Sequence, residues 1–409
     1  MADPFKTWDL AKSRPRVATV DGEAVPLVLH PARLPDAAAI PPRPWLYGTQ
    51  LVRGFVTVLV APGGTGKSVY AMCVAAALAS GKNLLGDHVF GTGCPIAVLN
   101  LEDPMDELER RLAAIMIRHK IDRADLEGRY FMHSGESRRV HMASLDPDGF
   151  TVVHPDEGAL IAEIQAHGIG LIVVDPFAES HSLEENSNPQ MVQAAAAWRR
   201  VARATNCAIM LVHHVRKGIV ADIDSARGAK ALTDSARIGL LLSPMAPEDA
   251  EQMGIGEEDR QSYVRLDNAK ANLAPKGSKA KWFELSQVNL GNATPDYPNG
   301  DNVASMVAWD PPNVWRTSTD EAINRVLDVI ARAPEDLLYL ASRRGGLGDP
   351  RRWAGHPVMD ILDCNEAQAA GVVAEWLRTG LLKQENFRDA AQRKTKTGVV
   401  VDPSKRPGR

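Results

Sequence analysis

The chain has 409 residues, 44% of them hydrophobic and 24% charged, which is enough apolar material for at least one large core and, by length, two or three domains. A formal net charge of −4 and a pI near 6.3 exclude a globally basic nucleic-acid binder, so any such contact must come from local patches. Four cysteines (Cys73, Cys94, Cys207, Cys364) lie far apart without a CxxC spacing, which argues against a zinc site or a disulfide framework and fits a reducing cytosol.

The opening MADPFKTWDL lacks the basic segment and apolar run of a signal peptide. No apolar stretch approaches the roughly 20 residues needed to span a bilayer, so a cytoplasmic protein with no membrane partner is expected. Residues 1–44 hold many Pro and Ala with no sustained period and read as an extended N-terminal arm. From Trp45 short apolar strands alternate with longer helical stretches, the signature of an α/β fold with a mostly parallel sheet and flanking helices. The expected strands are 55–61, 96–101, 171–174, 208–212, 238–242 and 263–268. Helices are expected over 69–80, 106–117 and 191–205, the last with Val192, Ala195, Ala196 and Ala202 at helical spacing. Residues 291–318 are rich in Pro, Gly and Asn and read as the close of the core followed by a linker, giving a core over 45–317 and a second module over 318–409. In that module 320–333 and 366–378 have helical periodicity, and 380–401 reads as two strands around a polar, basic turn. Helices followed by a hairpin predict a small winged-helix-like module.

The segment Ala61-Pro62-Gly63-Gly64-Thr65-Gly66-Lys67-Ser68 matches a phosphate-binding P-loop, with Ala61 where the simplest motif has Gly. Glycines let successive N–H groups curl around phosphate oxygens. Lys67 offers a cation to the β and γ phosphates, Ser68 a hydroxyl to Mg²⁺, and the helix N-terminus through Val69 adds partial positive charge. ATP and Mg²⁺ are therefore the expected cofactors. The run Gly170-Leu-Ile-Val-Val-Asp175 reads as a central strand whose terminal carboxylate meets the metal, against the alternative of a plain strand-end turn. Glu102, ending the strand that begins at Ile96, is the candidate base for the attacking water, against the alternative that Glu102, Asp103 and Asp106 form the acidic first turn of the next helix. His213 and His214 end a third strand, and adjacent strand residues point to opposite faces, so they are poorly placed to share one metal. Trp45 and Tyr47 suit either stacking on adenine or packing against the sheet edge.

Taken together, GGTGKS, LNLEDP, LIVVDP, LVHHVRKG and RGAKALTDSAR resemble the RecA-like ATPases of the hexameric plasmid replication helicase RepA group, distantly related to DnaB, over about residues 45–285. The resemblance implies a RecA-like fold, Glu102 activating water, Asp175 on Mg²⁺ and His214 sensing the γ phosphate. It implies a homo-oligomeric ring, a hexamer by the family pattern, with ATP at subunit interfaces and an arginine from the neighbour stabilising transition-state charge. Arg237 in TDSAR matches that finger, with Arg227 a second candidate; the plain alternative for both is a surface arginine on a helix flank. DnaB-like members carry a Lys-x-Arg pair where this chain has Lys270-Ala271-Asn272, so Asn272 cannot act as a finger and Lys270 is left as a helper.

The implied activity is an ATP-hydrolysing, ring-forming DNA helicase or translocase in replication of a plasmid, phage or other mobile element, with single-stranded DNA and a replication initiator or loader protein as partners. The rivals are a regulatory or switch ATPase of the same fold, which binds DNA or a protein without unwinding, and a nucleotide-binding scaffold. Of the two loops expected at the pore, the later one carries Arg216, Lys217, Arg227 and Lys230, which suit phosphate contact or a solvated basic loop. The earlier one carries Glu179, Glu184 and Glu185, which repel phosphate. Residues 383–409 hold eight Lys or Arg against three acids, whereas the helix over 366–378 has one Arg and two Glu, weak for sequence readout.

Overall fold

A computed structural model describes residues 19–20, 23–24, 31, 36–146, 148, 152–215, 227–273, 280–311, 318–342, 352–389 and 393–408. The chain forms two compact units, Met1–Arg43 and Pro44–Arg409. In the first, a two-residue pairing of Thr19–Val20 with Glu23–Ala24 precedes a 3-10 turn at Ala37–Ala39, capped by the Asp36 side chain.

The second unit is built on a nine-stranded sheet. Its strands are β1 (Val56–Pro62), β2 (Ile96–Asn100), β3 (Tyr130–Ser134), β4 (Leu171–Asp175), β5 (Ala208–Val215), β6 (Ile238–Pro244), β7 (Tyr263–Ala271), β8 (Lys281–Asn289) and β9 (Asn302–Trp309). The order is β9-β8-β7-β6-β1-β5-β4-β2-β3. The six strands from β6 to β3 run parallel, and β7, β8 and β9 add an antiparallel extension. Every residue of β1 and β4 is buried, as a parallel strand covered on both faces requires. Side chains alternate between two cores: Leu59, Ala61, Val173 and Met210 face one, whereas Val58, Val60, Ile172 and Leu211 face the other. This is a RecA-like α/β arrangement, with the strand bearing the glycine loop (β1) separated by β5 from the strand ending in Asp175 (β4).

The first core is filled by α1 (Lys67–Ser80), which is buried on all sides from Tyr70 to Ala79. A helix apolar all round must be covered all round. The sheet lies on one side of it, and β8, β9 and α2 (Met105–His119) cover it on another. The Met306 carbonyl on β9 accepts from His119 Nε2 at 2.8 Å, assigning the proton there, and from Cys73 Sγ at 3.9 Å. The second core is closed by α3 (Glu157–His167) and α4 (Asn188–Thr205). On α4 the inward face is Met191, Ala194, Ala195, Trp198, Val201 and Ala202; Val192, expected inside from its spacing, is 43% exposed because the stripe begins one residue earlier, at Met191.

The largest departure from the sequence reading lies at 291–318. Residues 302–309, expected as linker, form β9, which pairs with residues 282–289 of β8. The Gly-, Asn- and Pro-rich segment before it is the connection of a β-hairpin, held by Leu290 N–H to Asp301 O and Asn292 Nδ2 to Asp301 Oδ2. Tyr47 is fully buried among the residues around α1, which settles it as packing.

A buried polar network ties the short strands at 45–52 to α1 and β8. Gln50 Nε2 donates to Asp87 Oδ2 at 2.8 Å, Tyr70 Oη donates to Gln50 Oε1, and Lys281 pairs with Asp87. Asp87→Ala strands the Gln50 amide in a dry site, at a cost of about 1–3 kcal/mol. A lower urea midpoint at unchanged m-value is the expected result.

Between β5 and β7 the chain adds α5 (Arg227–Ser235), before β6, and α6 (Pro247–Met253), after it. After β9 come α7 (Asp320–Ala331), α8 (Gly355–Leu362) and α9 (Glu366–Thr379), then the hairpin of β10 (Leu382–Asp389) with β11 (Lys394–Val401). These three helices and the hairpin enclose their own core around Val326, Leu327, Val358, Trp376 and Val399. Thr319 caps α7, and Asn365 with Gln368 forms a capping box on α9. Asn365 Nδ2 also donates to the Glu251 carbonyl of α6.

Candidate active site

Because β1, β5, β4 and β2 run parallel, their carboxyl ends share one edge of the sheet, the usual place for a ligand crevice. The residues gathered there are Lys67, His214, Asp175 and Glu102. The loop after β1 turns through Gly64 and Gly66 at φ of +78° and +82°. A side chain is strained at such angles, which explains glycine there. Thr65 Oγ1 donates back to the Pro62 carbonyl at 2.9 Å and braces the turn. Gly66, the N-cap of α1, has no side chain to occupy the helix's first N–H groups, and an added Cβ at Gly63 or Gly64 meets nothing within 4 Å. The N-terminal donors of α1 are thus left for an anion, as a triphosphate needs.

Lys67 is 6% exposed; burial lowers its pKa, and the carboxylates of Asp175 and Glu102 oppose that shift. Asp175 is 4% exposed; burial raises its pKa, and the Ser68 hydroxyl and Lys67 ammonium oppose the shift. A carboxylate beside a hydroxyl and an ammonium is the donor set that fits Mg²⁺ and phosphate together. His214 lies level with Ala61, one strand away. Burial lowers its pKa, Lys67 lowers it further and Glu102 raises it, so the three side chains sense one another. Glu102 is exposed, on a turn built by Asn100, whose Oδ1 accepts from the Glu102 and Asp103 N–H groups at 3.1 and 2.7 Å. Asp106 and Glu107 fill the acidic first turn of α2, leaving Glu102 outside the helix.

Two residues here escaped the sequence reading. Asn100 shapes the Glu102 turn. Arg111 on α2 donates to Asp103 Oδ2 at 2.7 Å and Glu107 Oε1 at 3.1 Å, and its charge reaches both Lys67 and Asp175. A basic residue on an amphipathic helix gives no sign in sequence of facing a phosphate loop. Arg111, Lys67 and Ser68 all line a cleft of about 600 Å³.

The remaining candidates lie elsewhere. Arg237, exposed, precedes β6, whose first residue Ile238 is level with Thr57 on β1. Pro62 is five residues further along, about 17 Å at 3.3 Å per residue. That is longer than an arginine side chain, so Arg237 cannot reach the P-loop of its own chain. Its guanidinium has no ion-pair partner among the described residues. Lys270 Nζ donates to the carbonyls of Thr233 and Asp234 at 3.1 and 2.8 Å, so it caps the end of α5 rather than standing free. Asn272 N–H donates to the Arg237 carbonyl at 3.2 Å and holds the backbone of that turn. Arg227 and Lys230 fall on α5 with side chains outside the described residues, and Arg216 and Lys217 lie wholly outside them.

Three of the eight basic residues of 383–409 are held in ion pairs within the chain. Lys383 pairs with Asp402 at 2.8 Å, Lys396 with Asp389 at 2.6 Å and Arg406 with Asp328 at 2.7 Å. Among the described residues no helix is long and apolar enough to cross a membrane, and no cluster of three metal-ligating side chains occurs.

Behind His214, His213 is 5% exposed, and its Nδ1 has no partner among the described residues; neither does Nε2 of His181. Phe177 lies with its ring 4.8 Å from His181 and 6.2 Å from His213. Burial takes both imidazoles from 6.5 down to about 4. The unfolded chain then binds protons that the fold refuses. Stability is full above pH 6.5 and falls as pH drops towards 4, by up to about 1.4 kcal/mol per pH unit for each histidine. Urea midpoints at pH 7 and pH 5 are expected to differ in the wild type, and by less in His213→Asn.

A family model described as "AAA domain" matches residues 26–219, which include the glycine loop, Glu102, Asp175 and His214 but not Arg237. Among solved structures, the chain is similar to a KaiC-like protein, PH0186, from Pyrococcus horikoshii OT3, at 14% identity over 64% of this chain and 94% of that one, with a TM-score of 0.40. It is also similar to the RadB recombinase at 13% identity, over 58% of this chain and 89% of that one, with a TM-score of 0.36. The glycine loop and the strand order are those of a RecA-like fold built around a phosphate-binding P-loop, and residues 26–219 are similar to an AAA domain.

Proposed function

We propose that this chain is an ATP-hydrolysing, ring-forming DNA helicase or translocase of the RepA group type, acting in replication of a mobile element. One observation carries the reading. Arg237 is exposed, has no ion-pair partner among the described residues and lies at the sheet edge opposite its own P-loop, beside Arg199, whose pKa is lowered by burial and by the charges of Arg203, Arg200 and Arg237. Crowded cations of this kind favour an anion from outside the chain. A neighbour's triphosphate fits that need, and a ring supplies one neighbour to each subunit.

In this reading ATP lies over Pro62 to Val69, and Ser68 with Asp175 holds Mg²⁺, which when bound draws charge off the β and γ oxygens. Lys67 binds the same oxygens, Glu102 accepts the proton of the attacking water, and His214 senses whether the γ phosphate is present. Residues 45–317 serve as ATPase core and 318–409 as a winged-helix-like module. Single-stranded DNA, a loader or initiator protein and a hexamer are the matching partners. ATPase rate with and without single-stranded DNA, together with unwinding of 3′- or 5′-tailed duplexes, tests the proposal. Absence of both stimulation and unwinding sinks it.

A regulatory switch ATPase is the second reading, favoured by Glu179, Glu184 and Glu185 in the loop after β4 and by the internal ion pairs of Lys383, Lys396 and Arg406. Mass photometry with ATP and Mg²⁺ separates the two: closed rings favour the motor, monomers or dimers the switch.

A further inference from the structure

Strand β2 ends at Asn100, which is 2% exposed and stands level with Asp175 on β4 and Ser134 on β3. The chain then leaves the sheet through Leu101, Glu102 and Asp103, and both neighbouring strands hold this exit. Leu101 N–H donates to the Asp175 carbonyl and Gly135 N–H to the Asn100 carbonyl, each at 2.8 Å. Ser134 Oγ donates to the Asp103 carbonyl at 2.8 Å. Gly135 passes so close that an added Cβ would come within 2.7 Å of Leu101 Cα, which explains glycine there.

The Asn100 carboxamide supplies the rest of the hold. Its Oδ1 accepts from the N–H groups of Glu102 and Asp103, and its Nδ2 donates to Asp103 Oδ2 at 3.1 Å. Arg111 Nη1 donates to the same carboxylate oxygen at 2.7 Å. The amide can face only one way, because turning it over sets an NH₂ group against two N–H donors and an oxygen against a carboxylate. None of these bonds serves α2, whose N-cap is Pro104 and which begins at Met105. The Glu102 side chain alone is left uncommitted: it is exposed, and its carboxylate takes no hydrogen bond among the described residues, while its charge acts on Lys67 and His214. A braced backbone thus presents one free carboxylate at a fixed place relative to Asp175.

We propose that Asn100 is a positioning residue for ATP hydrolysis, setting the rate by fixing where Glu102 stands relative to Asp175 and the phosphate loop. This rests on the reading of Glu102 as the base. A general base works only within hydrogen-bond reach of the water it deprotonates. A displacement of about 1 Å costs on the order of a hundredfold in rate, so the group that fixes the turn governs turnover without touching the nucleotide.

The test uses the full chain and measures the ATP dissociation constant and the rate of phosphate release per bound ATP, for the wild type, Asn100→Ala, Asn100→Ser, Glu102→Gln and the double variants. Asn100→Ala removes the acceptor and is expected to lower turnover by about ten- to hundred-fold with the ATP dissociation constant unchanged. Asn100→Ser keeps a weaker acceptor for the same turn and should recover part of the loss. The double variant with Glu102→Gln decides between roles: if Asn100 acts through Glu102, Asn100→Ala costs nothing further once the carboxylate is gone, whereas general damage to the fold multiplies the two losses. Should Asn100→Ala fail to fold, Asn100→Ser, alone and with Glu102→Gln, carries the same comparison. Multiplying losses, a loss of ATP affinity in place of turnover, or wild-type turnover in Asn100→Ala overturns the inference and leaves the base reading intact. Unchanged turnover in Glu102→Gln overturns that reading and the inference with it.

Discussion

Glu102→Gln is expected to lower the ATP turnover rate by about 10²- to 10⁴-fold, the usual contribution of a positioned general base. ATP affinity should stay close to wild type, because Glu102 sits on a turn outside α2 whereas the phosphate-binding groups come from the glycine loop and the start of α1. The substitution preserves size and removes only the acceptor charge. The turn itself is held by the Asn100 side chain through backbone N–H groups, so it survives the change. A filter-binding constant for ATP and a phosphate-release rate together check this. Retained binding with unchanged turnover would refute the role of Glu102 as the base. The variant has a second consequence: losing Glu102 removes a charge that raises the pKa of His214, so His214 protonates at a lower pH than in the wild type.

What could be read from the residues follows how local the cause is. The strand from Leu171 to Asp175 was legible because burial on both faces demands an unbroken apolar run, and a single acid marks where the run leaves the sheet. The helix after the glycine loop was legible for the same reason. The β8–β9 pair was not. One face of β8 carries Gln287 and Asn289 towards an open cleft, so its apolar pattern is diluted, and the Gly, Asn and Pro of the connection have the composition of a linker. Polar residues at 291–301 mean a turn and not the end of a domain, a distinction that only strand pairing reveals. Arg111 was hidden because α2 is amphipathic and basic on several positions, and which of them meets the P-loop depends on how the helix crosses α1. His214 and Glu102 came from motif order, and the fold adds that parallel pairing of β1, β5, β4 and β2 brings them to one edge with Lys67.

Arg237→Ala is expected to reduce turnover by about 10³- to 10⁵-fold, the range over which an arginine finger acts, with ATP affinity in the isolated subunit unchanged. The geometry makes a stronger prediction than the rate alone. A site in cis needs the guanidinium near the carboxyl end of β1, and the β6 register holds it at the amino end, next to Thr57. If each active site joins the P-loop of one subunit to Arg237 of the next, two dead variants can repair each other. Lys67→Ala spoils the P-loop and keeps the finger; Arg237→Ala keeps the P-loop and spoils the finger. Mixed before assembly, they form some interfaces in which an intact P-loop meets an intact finger, and turnover should rise to a sizeable fraction of wild type, following the statistics of mixing. Each variant alone stays inactive. A cis site cannot show this recovery, because every chain in the mixture then lacks one half of its own machinery. Flat activity across all mixing ratios, with mixed oligomers confirmed by mass, would therefore remove Arg237 from the site and with it the main support for a ring.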